Sequence, residues 1–219
     1  TGSAGSNTPS GTVTFMDGTD TMGTGTLSGS GLTATATFST TARTVGTHGS
    51  ITAVYAGDSN FSGSTSSSIS RTVNARSLTI TANNINKTYG DTYAFDGTEF
   101  TAFGLVNSDT VTSVTLDSSG AAASATVAGS PYTITPSAAV GSGLSNYSIT
   151  YSDGSLTVGQ RTLTVSATGI NKVYDATTTA TVTLATDAVG GDDVTASYTG
   201  ATFADKNVGS GKAVSVTGI

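Results

Sequence analysis

The chain has 219 residues, with eight Lys or Arg against fourteen Asp or Glu and a net charge of −6. Its few basic residues are scattered, which excludes the cationic face nucleic acid demands and the basic amphipathic helix of a membrane surface. Charged residues make up only 10% and Cys is absent, so a structural disulfide, a thiolate metal site and a cysteine nucleophile are excluded. Apolar residues at 36% reach the globular range once the 28 glycines are added. Roughly a third of the chain is Ser or Thr, which suit strands and turns better than helix interiors. No window keeps a helical period over ten residues, and the expected fold class is all-β. There is no signal peptide and no apolar run of membrane length; export signals and anchors are expected outside this segment.

Residues 1–10 lack apolar pattern and read as a linker or loop. A strand is expected over Thr12–Met16, with Val13 and Phe15 on one face and a turn at Asp17-Gly18. A weaker strand covers Thr21–Leu27. Leu32, Ala34, Ala36 and Phe38 alternate with threonines as a half-buried strand. Ile51, Ala53 and Tyr55 predict another, ended by the turn cluster Ala56–Asn60, and a last strand falls near Ser68–Asn74. Five strands are fewer than the roughly seven of an Ig-type sandwich. The first module, residues 1–75, is therefore expected to lack N-terminal strands.

Arg76–Asp91 and Arg161–Asp175, 85 residues apart, are nearly the same stretch. Leu78/Ile80/Ala82 and Leu163/Val165/Ala167 alternate with the period of a strand having one buried face. Each then passes through Ile-Asn-Lys-x-Tyr into a turn. A fixed spacing of this length marks small tandem modules. In the middle one, residues 76–160, strands are expected at Phe100–Leu105, Thr110–Leu116, Pro131–Thr135, Tyr147–Tyr151 and Ser155–Val158, the last two joined through Asp153-Gly154 as a hairpin. The Ala-rich run Gly120–Gly129 reads as a short helix or a loop. The third, residues 161–219, has nothing matching the Asn146–Val158 strands, so it is expected to lack C-terminal strands. Continuation in a longer repetitive chain and strands donated by a neighbouring chain both account for such breaks.

The motifs carry three family resemblances. Gly11–Gly18 followed by Val45–Phe61, with its Gly-Thr-His turn and Tyr55-x-Gly57-Asp58-x-Asn60-Phe61 corner, resembles a bacterial immunoglobulin-like repeat over about 11–74. Tyr89-Gly90-Asp91, Gly104-Leu105-Val106 and Asn146–Tyr151 resemble the MBG-type repeat of large bacterial surface proteins over about 76–160. Asn171–Asp175, Gly191–Val194 and Phe203–Lys212 resemble the related YDG-type repeat over about 161–219, with Ala176 where that family has its Gly. The resemblance implies tandem β-sandwich modules in an elongated array, secreted or displayed on a bacterial surface.

Candidate chemistry is sparse. His48, the only histidine, sits in a Gly-Thr-His-Gly sequence that supplies no triad or metal partners and reads as a turn residue. Asp17, Asp20, Asp58, Asp192 and Asp193 could offer calcium oxygens, with Asp192 and Asp193 the candidate metal ligands. EF-hand spacing is absent, and Gly-Asp sequences are ordinary turn chemistry. Glu99 is the only Glu, so paired catalytic carboxylates would have to come from turn aspartates. Lys87 and Lys172 recur beside asparagines. That spacing suits an intramolecular isopeptide bond only if a buried carboxylate stands by, and repetition alone explains it. The threonine run Thr33–Thr37 fits a solvated strand face as well as an ice-binding one.

Together these features point to a non-catalytic stalk or spacer segment of a bacterial adhesin or extracellular matrix fibre, each module touching only its neighbours. No cofactor is expected, nor nucleic acid or membrane insertion. The expected partners are adjoining modules of the same chain, or other copies by strand complementation in a filament. A ligand-binding adhesin module, for carbohydrate or host protein, would instead expose an aromatic cluster, with Tyr93, Tyr132 and Tyr198 as candidates. A hydrolase would need a His or carboxylate constellation that this pattern does not supply.

Overall fold

The computed structural model describes residues 8–219. The first seven strands are β1 (Thr12–Asp17), β2 (Asp20–Thr26), β3 (Ser28–Ser30), β4 (Thr33–Thr35), β5 (Gly46–Gly57), β6 (Ser62–Thr65) and β7 (Ile69–Val73). Next come β8 (Arg76–Ala82), β9 (Ile85–Thr88), β10 (Phe100–Phe103), β11 (Thr110–Asp117), β12 (Tyr132–Ser142), β13 (Tyr147–Ser152) and β14 (Gly154–Gly159). The last four are β15 (Val165–Ile170), β16 (Thr181–Thr186), β17 (Gly200–Phe203) and β18 (Val214–Thr217). The only helical elements among the described residues are two single 3₁₀ turns, so the fold is all-β. Part of the expected linker, residues 1–7, lies outside the described residues.

The chain forms two compact units, and the boundary between them runs through residues 76–160. The first unit holds a sheet of order β2-β1-β5-β6, with β7 also pairing β5. β5 is long because the alternation of Ile51, Ala53 and Tyr55 is continued, across a bulge between His48 and Ile51, by Gly46–His48 paired with β7. The strand expected through Phe38 stops at Thr35, and Leu32 is left exposed. Phe38 instead turns in to stack on Phe15, 5.7 Å between ring centroids, over Gly23, where a side chain would collide with its ring. The aromatic contact on a glycine floor takes the place of three more residues of strand pairing.

The same unit contains β8, whose alternation lands as expected: Leu78 and Ile80 are fully buried and Ala82 nearly so. β8 pairs antiparallel with β10 and parallel with β13, Tyr147 opposite Arg76 and Ser152 opposite Thr81. Leu78, Ile80, Val114 and Tyr147 form its core, with Phe100 and Ile149 packed around them. Tyr147 is buried with its polar end satisfied: its hydroxyl donates to Asp109 Oδ2 (2.8 Å) and accepts from Val106 N (2.9 Å).

In the second unit β14 pairs parallel with β9, Leu156 opposite Ile85 and Val158 opposite Lys87. On its other side β14 pairs antiparallel with the start of β12, Tyr132 opposite Leu156. Leu156 is fully buried and Val158 almost so. The hairpin expected at Asp153-Gly154 is therefore absent. β13 and β14 each find parallel partners, β8 and β9, and the pairing encloses Leu78 and Ile80 of β8 and Leu156 and Val158 of β14, more than a two-stranded ribbon could bury. The Ala-rich run forms one 3₁₀ turn, Ser119–Ala121, capped by Ser118 accepting from Gly120 N, and otherwise a loop.

Residues 161–219 complete this unit as two ribbons, β15–β16 and β17–β18, around Ala180, Val182 and Ala201. Leu163/Val165/Ala167 was expected to bury one face, but Leu163 is 44% exposed and Ala167 also lies at the surface. Among the described residues β15 pairs with β16 alone, whereas β8 has partners on both edges. Leu163 precedes β15, and within that strand only Val165 is half-buried.

Candidate functional site

His48 lies inside β5 rather than in a turn, so that expectation is corrected: the long β5 run carries the strand through Gly46–Gly49. Its Nδ1 stands 2.6 Å from Asp17 Oδ2 and its Nε2 3.0 Å from the Thr44 carbonyl. Two acceptors on the two ring nitrogens fit an imidazolium donating to both. The Thr44 carbonyl and then the Asp17 carboxylate accordingly raise the His48 pKa above its ordinary 6.5. The His48 hydrogen bond holds Asp17 below its ordinary 3.8, and Arg43 Nη2 adds a second donor to the same oxygen. With both imidazole nitrogens engaged, the cluster has no free base to activate a nucleophile. It ties the end of β1 to β5 and the 40–45 loop. Nothing in the local sequence signals it, because the β1–β5 pairing brings Asp17 to His48 and the loop before β5 brings in Arg43.

The Tyr55–Phe61 corner is likewise self-contained. Asp58 Oδ1 accepts from Asn60 N (2.8 Å) and Phe61 N (2.9 Å), and its Oδ2 accepts from Ser10 N and Ser10 Oγ, each 2.9 Å. These donors, Asn60 first, drive its pKa far below the carboxylate range. Tyr55 donates to the Ser10 carbonyl at 3.0 Å. The carboxylate that could have offered calcium oxygens closes a turn and anchors the segment before β1.

Of the candidate metal ligands, Asp192 accepts a hydrogen bond from Tyr89 Oη at 2.5 Å, and Asp193 is exposed nearby. Among the described residues no three His, Asp or Glu side chains gather as a metal site would require. Tyr89, Arg161, Leu163, Val189, Asp192 and Val194 instead line a cleft of about 160 Å³. Gly90 lies against Val189 there, in a left-handed conformation (φ 88°) where a Cβ would come within 2.6 Å of Val189 Cγ2. Tyr89-Gly90 thus seats the middle repeat on residues 161–194. In the first unit Val45 N donates to Asn146 Oδ1 at 3.3 Å, a second hydrogen bond between consecutive repeats.

The recurring lysines close turns. Lys87 Nζ donates to the Asp91 carbonyl at 2.7 Å and to that of Ala122. Lys172 Nζ binds Asp175 Oδ1 (2.7 Å) and Thr177 Oγ1 (2.8 Å). Lys172, then the Thr177 backbone N–H, lowers the Asp175 pKa to about 2. Ala176 follows in the left-handed region, φ 61°, so the turn expected of a glycine is kept by an alanine.

The three tyrosines expected to be exposed are half-buried. Tyr93 meets Phe95 edge-on, Tyr132 Oη accepts from Thr126 N (2.9 Å), and Tyr198 packs on the Ala180–Ala201 core. Among the described residues the most exposed aromatics are Phe103, at 83%, and Tyr174, at 59%, ahead of Tyr151, and sequence alone did not single them out as exposed. Tyr174 borders an open groove of about 460 Å³ lined by Ile170, Lys172, Phe203, Asp205 and Val214.

Comparison with known families matches residues 1–74 to the bacterial Ig-like domain (group 3), 78–157 to the MBG domain (YGX type) and 159–219 to the YDG domain. No curated protein and no solved structure matches the chain.

Proposed function

We propose that this chain, a bacterial Ig-like domain followed by an MBG domain and a YDG domain, is a non-catalytic spacer segment of a large secreted adhesin or matrix fibre. The three families are typical of bacterial surface proteins. The observation that carries the reading is the Tyr89–Asp192 hydrogen bond with Gly90 against Val189. The motif residues of one domain are spent on holding the next, which is what an array transmitting load between neighbours requires. The proposed division is 1–75, 76–160 and 161–219, with neighbouring domains of the same chain as partners and the cell exterior as the setting.

The ligand-binding alternative is favoured by one observation, the exposed Phe103 and Tyr174. Arrays of glycans and extracellular matrix proteins probed with the purified chain separate the two. The spacer reading expects no saturable binding. Saturable binding abolished by Phe103→Ser or Tyr174→Ser would overturn it.

A further inference from the structure

We propose that His48 is a pH-operated clamp on the junction between the Ig-like and MBG domains. Its imidazolium holds the Thr44–Val45 peptide group against Asn146, and its neutral form lets that peptide go. One peptide group carries both contacts. Its carbonyl, that of Thr44, accepts from His48 Nε2 at 3.0 Å, and its N–H, that of Val45, donates to Asn146 Oδ1 at 3.3 Å. His48 and the 40–45 loop belong to the Ig-like domain, and Asn146 to the MBG domain. All of them lie within the same compact unit. Residues 36–45, between β4 and β5, form no strand or helix, so this stretch has no ladder of its own to hold the peptide in place.

Proton counting sets the direction. Asp17 Oδ2 stands 2.6 Å from Nδ1 and the Thr44 carbonyl stands on Nε2, so two acceptors call for two ring protons. Neutral imidazole has one. The bond to the carboxylate is the shorter and is charge-assisted, so the remaining proton stays on Nδ1. The Nε2 lone pair then faces the Thr44 carbonyl oxygen, and repulsion replaces the bond. The imidazolium also polarises the peptide it binds, which strengthens Val45 N–H as a donor to Asn146, and that help leaves with the proton. The charged groups around the ring are Asp17 at the end of β1, Arg43 in the loop and Arg71 opposite His48 on β7, with Asp20 of β2 opposite Asp17. Of these side-chain types, imidazole alone ordinarily changes charge between about pH 5 and 8. The Thr44 carbonyl and the Asp17 carboxylate raise the His48 pKa above 6.5. The clamp is therefore fully closed below 6.5 and opens as pH rises through the folded value. This inference stands apart from the spacer reading, since the junction titrates whether or not the array bears load.

The test is an NMR titration of the full 219-residue chain across neutral pH. Amide exchange at Val45, divided by its intrinsic rate at each pH, should rise about fivefold as His48 loses its proton, while Ala53 and Ile80 stay unchanged. The ring-nitrogen signals should place the last proton on Nδ1. Asn146→Ala removes the far contact and leaves the ring untouched. By reciprocity the His48 midpoint should then fall, by up to about 0.7 on the pH scale for a fivefold coupling. His48→Gln should make the corrected Val45 exchange independent of pH, with the Ala53 amide still protected as the check on folding. Val45 exchange that stays level through the His48 titration of the wild type overturns the proposal, as does a midpoint that Asn146→Ala leaves in place. A neutral ring that keeps its proton on Nε2 also overturns it, because the Thr44 bond would then survive.

Discussion

Leu78 and Leu163 are the same residue of the same repeat, in two different environments. Leu78 is fully enclosed in the β8 core, while Leu163 is 44% exposed. Truncating a buried leucine to alanine removes its transfer free energy and leaves a cavity, a combined loss of about 2–5 kcal/mol. At Leu163 only about half of the roughly 1.5–3 kcal/mol transfer term is in play, and solvent already reaches the site, so no closed cavity forms. Leu163→Ala should therefore cost about 1 kcal/mol, and Leu78→Ala two- to fivefold more. Equilibrium urea denaturation of the two variants, followed by tyrosine fluorescence because the chain has eight Tyr and no Trp, measures both. A Leu163→Ala loss equal to that of Leu78→Ala would refute the reading of Leu163, which precedes β15, as a half-exposed residue lining the cleft beside Tyr89.

Tyr147→Phe should cost about 1–3 kcal/mol in the same assay, because it strips a buried donor from Asp109 and leaves Val106 N without its acceptor. Ala176→Gly should stabilise by up to about 1 kcal/mol. The left-handed alanine costs about 1–2 kcal/mol, of which the extra freedom of glycine in the unfolded chain gives back part. The Asp17–His48 pair makes stability pH-dependent. The raised His48 pKa stabilises fully below 6.5, and this contribution fades as pH rises through the folded value. The lowered Asp17 pKa stabilises above 3.8, and this is lost as pH falls through its folded value. The wild type should gain most from the pair between those values, and denaturation midpoints of His48→Gln should lack the decline on the alkaline side.

Strands that carry their own alternation were legible in the sequence. β8, β13 and the centre of β5 fall where period two placed them, because each buries one face against a partner within the same unit. What could not be read was the pairing. The parallel matches of β8 with β13 and of β9 with β14 join segments about 70 residues apart, and nothing in the Asp153-Gly154 dipeptide distinguishes a hairpin from a switch of sheet. The short strands β3 and β6 have no apolar pattern at all and exist through backbone pairing. The Arg43–Asp17–His48 cluster and the Tyr89–Asp192 bond were hidden for a related reason: each is made by tertiary register between residues that look like turn polar groups locally. Exposure failed in the opposite direction. Leu163 and Ala167 carry the alternation of a buried face, yet both lie at the surface, and among the described residues β15 has β16 as its one partner.

The central claim is that these domains form a load-bearing array, and single-molecule extension of the chain between its two termini tests it most directly. The account predicts discrete rupture peaks as the folded units give way, with a summed contour length of roughly 770 Å at about 3.5 Å per residue over 219 residues. Smooth extension without rupture peaks would contradict it.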